Sequence, residues 1–208
     1  GYPYYTFQHF TENGKLDRMR VLKGSLLAIN RNFNKNLCSW FAGMFTALNP
    51  SVQEQLTLQP EMFAALSSPH SRPINIILGL LKNLCSHPRF LTDDFLDQTT
   101  VLFASDVKAV HQNTLGVLSK LAKEKKEYHD AICCAATQGL MSRDESTQNK
   151  IVKLIQTFGE TESPTLKEAL SAYAETMLTS TKKELAAYLK DNVSDALSTD
   201  KVLLTTLD

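Results

Sequence analysis

The feature that most constrains the fold of this chain is a heptapeptide that returns every 37 residues. LGLLKNL at residues 78–84 returns as LGVLSKL at 115–121 and, more loosely, as VKLIQTF at 152–158. An earlier copy, AGMFTAL, occupies residues 42–48, 36 residues before the first of these. A fixed interval of this size is typical of stacked supersecondary units, each of which buries its apolar face against its neighbours. Such stacks are usually binding scaffolds, so the interval constrains the architecture without naming a ligand.

A second set of apolar residues follows the same interval outside the heptapeptide. This column consists of Ile29, Leu66, Phe103, Leu140 and Met177. Two sequences repeating in step indicate two helices per unit, and short connections make neighbouring helices antiparallel. We predict first helices at 16–30, 51–67, 92–104, 127–141 and 164–179. We predict second helices at 35–48, 73–86, 106–124, 143–159 and 181–191.

Helix-start signals occur near the predicted boundaries. Three pairs fit the capping box: Ser51 with Glu54, Ser142 with Glu145, and Thr181 with Glu184. Ser163 precedes a proline at the first helical position, which is a further start signal. Pro60 lies inside a predicted first helix, where we expect a kink or a break.

A repeat of this length, in which Asp106-Val107-Lys108 opens a helix running through Leu115, Leu118 and Leu121, resembles HEAT and armadillo-type repeats. The resemblance covers about residues 15–190. It implies an all-α fold, a right-handed superhelix of about five antiparallel helix pairs. The family's Asp and Arg ladder is represented only by Asp106 with Lys108 and by Arg143 with Asp144, and the last unit drifts out of step.

Three regions follow from this interpretation. Residues 1–14, rich in tyrosine and phenylalanine, form an N-terminal aromatic cap or an extended segment. Residues 15–191 form the helical-repeat domain, and residues 192–208 form a C-terminal helix or a frayed tail. Because residue 1 is glycine, we expect either a cloning remnant or an excerpt of a longer protein.

Composition narrows the function classes. Apolar residues make up 43% of the chain and charged residues 21%, which is typical of a folded domain. The formal net charge is zero, which argues against a dedicated nucleic-acid binder, although it does not exclude a local basic patch. No apolar run approaches the length of a membrane-spanning helix, so we expect no membrane partner. Four cysteines in a chain this long indicate free thiols in a reducing compartment, and we expect a cytoplasmic protein.

The residues that could carry chemistry are better explained structurally. Cys85 with His87, and His129 with Cys133, have spacings that zinc uses, but neither pair has a partner motif. The S-x-x-K sequence at 180–183 lacks its companion motifs, and the carboxylates at 93–97 fit a solvated helix start. No phosphate-binding glycine loop occurs. We therefore expect no enzyme, no cofactor and no metal.

Glycine recurs at an equivalent place in the second helices. Gly79 and Gly116 lie inside the heptapeptide, where glycine costs about 1 kcal/mol relative to alanine. A close approach of neighbouring helices would explain both residues.

The polar face of the second helices is the first candidate binding surface. Two ladders run along it at the 37-residue interval: Asn75, Gln112 and Asn149, and Lys82, Ser119 and Gln156. Helical-repeat relatives commonly bind partners on the concave surface that these helices line. We therefore expect a non-enzymatic scaffold or adaptor that binds a protein or peptide there, with ordinary solvated helix faces as the alternative interpretation.

A basic patch near the start is the second candidate. Its members are Lys15, Arg18, Arg20, Lys23, Arg31 and Lys35. This patch supports an alternative function as a nucleic-acid-binding, HEAT-like protein similar to DNA glycosylases. A solvated face of the first unit explains the same residues.

Overall fold

The computed structural model describes residues 17–190 and, before them, Tyr5, Thr6, His9 and Gly14. The described residues are mostly helical, with no strand among them, which confirms the all-α class. The helices of the first three units are α1 (Arg18–Ile29), α2 (Lys35–Ala47), α3 (Val52–Thr57), α4 (Gln59–Ala65), α5 (Ser71–Leu84), α6 (Thr92–Asp97), α7 (Thr99–Phe103) and α8 (Lys108–Glu124). A 3₁₀ turn (Lys126–Tyr128), α9 (His129–Thr137), a 3₁₀ turn (Gln138–Met141), α10 (Glu145–Phe158), α11 (Pro164–Ser171), α12 (Thr179–Glu184) and α13 (Ala186–Leu189) follow.

These elements alternate between the predicted first and second helices. The second helices are α2, α5, α8, α10 and the pair α12 with α13, and each packs against the second helix of the neighbouring unit. First helices pack against the second helix of their own unit, as α1 does against α2. The packing order is that of a stack of helix pairs. The hand of the superhelix stays a prediction, and the predicted segments at 1–14 and 192–208 lie largely outside the described residues.

The predicted starts are correct at two of four sites. Ser51 and Glu54 form a reciprocal capping box, and Ser163 caps α11 ahead of Pro164. The other two boxes are wrong. Asp144 caps α10 by accepting from the Thr147 amide, because its carboxylate is a stronger acceptor than the Ser142 hydroxyl two residues earlier. Thr181 is buried within α12, which begins at Thr179.

Several first helices are divided into two short segments. The predicted break near Pro60 is confirmed, since α3 ends at Thr57 and α4 begins with the proline in its first turn. A second break, at Gln98, has no proline and was not predicted. The last unit departs further: α11 ends at Ser171, and turns follow where a helix to residue 179 was expected.

The apolar column at the 37-residue interval is buried throughout. Ile29 and Leu140 are fully buried, and Leu66, Phe103 and Met177 are at most 5% exposed. Ile29, Leu66 and Phe103 lie at or directly after the end of a first helix, Leu140 lies in the 3₁₀ turn that follows α9, and Met177 lies in the turns between α11 and α12. The column is therefore the line along which successive units share one core.

Polar side chains connect neighbouring units at nearly the same interval. Arg18 pairs with Glu54, Lys23 with Glu61 and Lys108 with Asp144, at N–O distances of 2.8, 3.5 and 3.0 Å. Each pair joins residues 36 or 38 positions apart, which is one unit. Lys108 and Asp144 each come from one of the two pairs, Asp106 with Lys108 and Arg143 with Asp144, in which the sequence shows traces of the Asp and Arg ladder of HEAT and armadillo-type repeats.

The described helices contain no segment that is both apolar enough and long enough to span a membrane.

Candidate functional site

A groove is lined by residues of three consecutive second helices, α5, α8 and α10. α5 contributes Lys82, α8 contributes one wall and part of the floor, and α10 contributes the opposite wall. The cavity has a volume of about 480 Å³. It is lined by Lys82, Gln112, Asn113, Leu115, Gly116, Ser119, Lys123, Lys150, Lys153, Leu154, Thr157 and Phe158. We call this the lysine groove.

Helical spacing explains why α8 presents this set to one side. Gln112, Gly116, Ser119 and Lys123 recur at intervals of three and four, which places them along one face of the helix. Most of the buried apolar residues of α8 occupy the other face, where they hold it against its neighbours, and Leu115 borders the groove. The burial pattern therefore directs the polar face into the groove.

The floor of the groove is apolar. Leu115 and Leu154 are buried. Phe158 is half-buried, and the centre of its ring lies 4.9 Å from the centre of the His129 ring. Gly116 leaves space above this floor, because a Cβ added there would meet only the end of the Lys82 side chain, at 3.5 Å. A Cβ at Gly79 would meet nothing within 4 Å. Close helix packing, the explanation expected for these glycines, is therefore wrong.

The lysines of the groove carry charge that the fold does not neutralise. Lys82, Lys123, Lys150 and Lys153 are all exposed, and no carboxylate oxygen of the described residues lies within 4.0 Å of their amino groups. No aspartate or glutamate lines the cavity.

The cations at the edges of the units behave differently. The Lys108 amino group holds the pKa of the Asp144 carboxyl below its ordinary value, mainly through their hydrogen bond. Arg18 does the same to the pKa of Glu54, to which its guanidinium donates at 2.8 and 3.2 Å. These cations stabilise the stack, whereas those of the groove face solvent.

Charge is separated between the two sets of helices. The second helices carry ten lysines and arginines against three glutamates: Lys35, Arg72, Lys82, Lys108, Lys120, Lys123, Lys150, Lys153, Lys182 and Lys183 against Glu124, Glu145 and Glu184. After α1, the first helices carry eight carboxylates against Lys126 and Lys167: Glu54, Glu61, Asp93, Asp94, Asp97, Glu127, Asp130 and Glu168. A chain with no net charge thus has a basic side.

The predicted polar ladders meet this groove only in part. Lys82, Gln112 and Ser119 line it, and Asn75 accepts a hydrogen bond from Asn113, which also lines it. Asn149 is exposed but is not part of the lining.

Gln156 lies outside the groove as well, since its amide donates to the backbone and the carboxylate of Glu184. The structure therefore brings together three of the six ladder residues.

The predicted basic patch is dispersed. Arg18 and Lys23 are engaged with carboxylates of the second unit. Lys35 lines a separate cavity beside His70, while Arg20 and Arg31 are exposed. Lys15 lies outside the described residues.

The cysteines and histidines considered for chemistry have structural surroundings. Cys85 and Cys133 are buried, and burial raises the pKa of Cys133 to about 12, far from a reactive thiolate. His129 has its Nε2 atom 2.6 Å from the Ala122 carbonyl oxygen. Within the described residues, no three His, Cys, Asp or Glu side chains are placed to hold a metal ion.

One cation, Lys125, is partly buried. The Lys125 amino group donates to Thr92 at 2.8 Å and lies 5.3 Å from the centre of the Phe90 ring. Burial lowers its pKa below the ordinary lysine value. The contact joins α6 to the end of α8 and makes Lys125 part of the packing between units.

Sequence reasoning missed Lys123, Lys150 and Lys153. It followed columns of equivalent residues 37 apart, and in that scheme Lys153 falls in the column of Gly79 and Gly116, not in a polar ladder. The helical spacing from Gln112 to Lys123 could have identified one of the three. Which residues of α10 face α8 depends on how the two helices pack.

Comparisons with known proteins give a family and no function. A family model described as "Domain of unknown function (DUF6493)" matches residues 1–109, which include Lys82 but none of the groove residues on α8 and α10. No curated protein matches the chain, and no solved structure does. Since the model covers more than half of the sequence, the chain belongs to the DUF6493 family.

Proposed function

We propose that this protein is a non-enzymatic helical-repeat scaffold that binds a segment of another protein along the surface of its second helices. The observation that carries the proposal is the lysine groove, which three units build together. Its polar walls and apolar floor are the combination that protein-binding surfaces use. A groove built on packed helices is already ordered, so binding to it costs the protein little conformational entropy.

The positions of the perturbed groups support a non-enzymatic role. The shifted pKa values of Glu54, Asp144, Cys133 and Lys125 all have causes in packing or in contacts between units. None of these residues lines the lysine groove. We further propose a HEAT-like superhelix in a cytoplasmic setting, which the free cysteines, three of them buried, support.

Binding of nucleic acid through the N-terminal basic patch is the less favoured function. Arg18 and Lys23 already contact carboxylates, so less charge is left there to neutralise phosphates.

Selection from a random-peptide display library tests the proposal. Gly116→Trp fills the groove, and Gly24→Trp is its matched control, because Gly24 lies on α1 and a Cβ there meets nothing within 4 Å. We expect enriched peptides that bind the native chain and Gly24→Trp alike and lose binding to Gly116→Trp. Peptides that bind all three proteins equally would contradict the proposed surface. Circular dichroism checks that both variants are folded.

A further inference from the structure

The lysine groove carries four positive charges that the folded chain does not use. Three cations at the edges of the units, Arg18, Lys23 and Lys108, each reach a carboxylate one unit away. The groove lysines have no such partner among the described residues, although the first helices hold an excess of carboxylates. Clustering like charges without partners costs free energy through repulsion, which a ligand of opposite charge would relieve.

The arrangement of the lysines gives the ligand a shape. Lys123 belongs to the α8 wall, and Lys150 and Lys153 belong to the α10 wall. Lys82 extends from α5 and lies beside Gly116 of α8. The positive charges thus flank a channel instead of surrounding one point. A channel bordered by charge on both sides suits an extended chain with several carboxylates.

Two features inside the groove indicate a polypeptide. The floor of Leu115, Leu154 and Phe158 offers apolar area to a side chain, which an inorganic polyanion would not use. The side-chain oxygen of Gln112 is buried and accepts no hydrogen bond within the described part of the chain, while its amide group donates to Thr147 at 3.0 Å. A backbone N–H of a bound peptide, after a small movement of this side chain, would satisfy that oxygen.

Nucleic acid fits the same groove less well. No arginine lines it, and its single aromatic ring, that of Phe158, already packs against His129. Single-stranded nucleic acid is commonly held by bases stacked on exposed aromatic rings. The observations therefore favour an acidic protein segment.

We propose that the lysine groove binds an extended acidic peptide, with its carboxylates on Lys82, Lys123, Lys150 and Lys153 and an apolar side chain on Leu115 and Leu154. This inference rests on the proposed scaffold function and specifies the partner's chemistry. The docked segment contacts residues of α5, α8 and α10, so it also bridges three units.

Fluorescence anisotropy with a labelled glutamate-rich peptide containing a central leucine tests this assignment. We expect binding that weakens steeply as NaCl rises from about 20 to about 300 mM, because exposed charges are screened. Lys150→Glu combined with Lys153→Glu should weaken binding by about tenfold or more. Lys182→Glu with Lys183→Glu, the same reversal on exposed lysines of α12, should change it less than about twofold.

Three results would overturn the inference: no binding of the glutamate peptide at low salt, equal binding of a version with glutamine in place of glutamate, or tighter binding of single-stranded DNA of the same charge. Failure of this inference is distinguishable from failure of the scaffold function. Neutral or basic peptides selected by display and blocked by Gly116→Trp would retain the scaffold and reject the acidic partner.

Discussion

At the scale of single residues, burial separates side chains that are adjacent in sequence. Leu140 and Met141 lie in the same 3₁₀ turn, yet Leu140 is fully buried and Met141 is 65% exposed. We expect Leu140→Ala to lower the free energy of unfolding by about 2–5 kcal/mol, through lost transfer energy and the cavity left behind. Met141→Ala is the matched control and should cost less than about 1 kcal/mol. Urea denaturation measures both, and similar values would contradict the shared core column.

Two glycines differ in the space that surrounds them, and we expect alanine to have opposite effects on stability at the two positions. Alanine at Gly79 has open space around its Cβ. It should raise the free energy of unfolding by about 0.5–1 kcal/mol, because alanine gives the unfolded chain less backbone freedom than glycine does. At Gly159 a Cβ would lie 2.8 Å from the backbone oxygen of Ile155 and 3.0 Å from Leu166. Alanine there should cost about 1–3 kcal/mol through overpacking. Thermal unfolding of the two variants measures the contrast, and a loss of stability at Gly79 would point to a packing role for that residue.

At the scale of elements, one buried glutamine joins the last unit to the rest. The Gln148 amide donates to the carbonyl oxygens of Ser142 and Thr176, at 2.9 Å each. Its oxygen accepts from the Leu178 amide at 2.9 Å and from the Thr181 hydroxyl at 2.6 Å. A buried polar group without a partner costs about 1–3 kcal/mol. Loss of the Gln148 side chain would leave several buried polar groups in that state.

Gln148→Leu should therefore loosen the last unit before the others. Hydrogen exchange should show lost protection concentrated at residues 164–190. Gln156→Leu, which removes only exposed hydrogen bonds to Glu184, is the control and should leave exchange close to that of the native chain. Equal loss of protection in every unit would mean that the stack unfolds as one cooperative block.

The ion pairs between units should make stability sensitive to acid. Arg18 holds the pKa of Glu54 below its ordinary 4.5, so the unfolded chain takes up the proton more readily than the folded one. The stabilisation is fully present above that ordinary value and is lost as pH falls through the lower, folded pKa. The urea midpoint of Glu54→Gln should therefore fall less between pH 7 and about pH 3 than that of the native chain. The exposed Glu168→Gln serves as the control, and parallel curves for all three proteins would contradict the assignment.

At the scale of the whole molecule, the separation of charge matters more than the net charge. The chain has an isoelectric point near 7.1, yet among the described residues the second helices carry most of the lysines that form no ion pair. At that pH we still expect the protein to be retained on a cation exchanger at low salt. The resin responds to the charge within about a Debye length of its surface, so a local basic surface can bind it although the net charge is zero. Removing charge at Lys123, Lys150 and Lys153 should advance elution more than removing three charges at Arg20, Arg31 and Lys126. Equal shifts would mean that the lysines do not act as one surface.

Much of the fold could be predicted because the repeat acts through nearest neighbours. Each unit must bury the same apolar positions against the next, so the 37-residue interval locates Ile29, Leu66, Phe103, Leu140 and Met177 without any structure. Capping at Ser51 and the break near Pro60 were also predictable, because both depend on chemistry within a few residues. The boxes assigned at Ser142 and Thr181 were wrong because Asp144, two residues after Ser142, caps α10, and because Thr181 lies inside α12, where its hydroxyl donates to the buried Gln148.

The sequence by itself determined the all-helical class, the two-helix unit and the line of the shared core, since these follow from local periodicity and burial. Only the tertiary structure decided which polar residues meet. Lys82, Gln112 and Ser119 share a groove with Lys123, Lys150 and Lys153, while Asn149 and Gln156 lie outside it. The physical reason is that an interval along the chain locates equivalent residues in successive units. A binding surface is instead formed by the rotation and packing of neighbouring helices, which no single column of residues encodes.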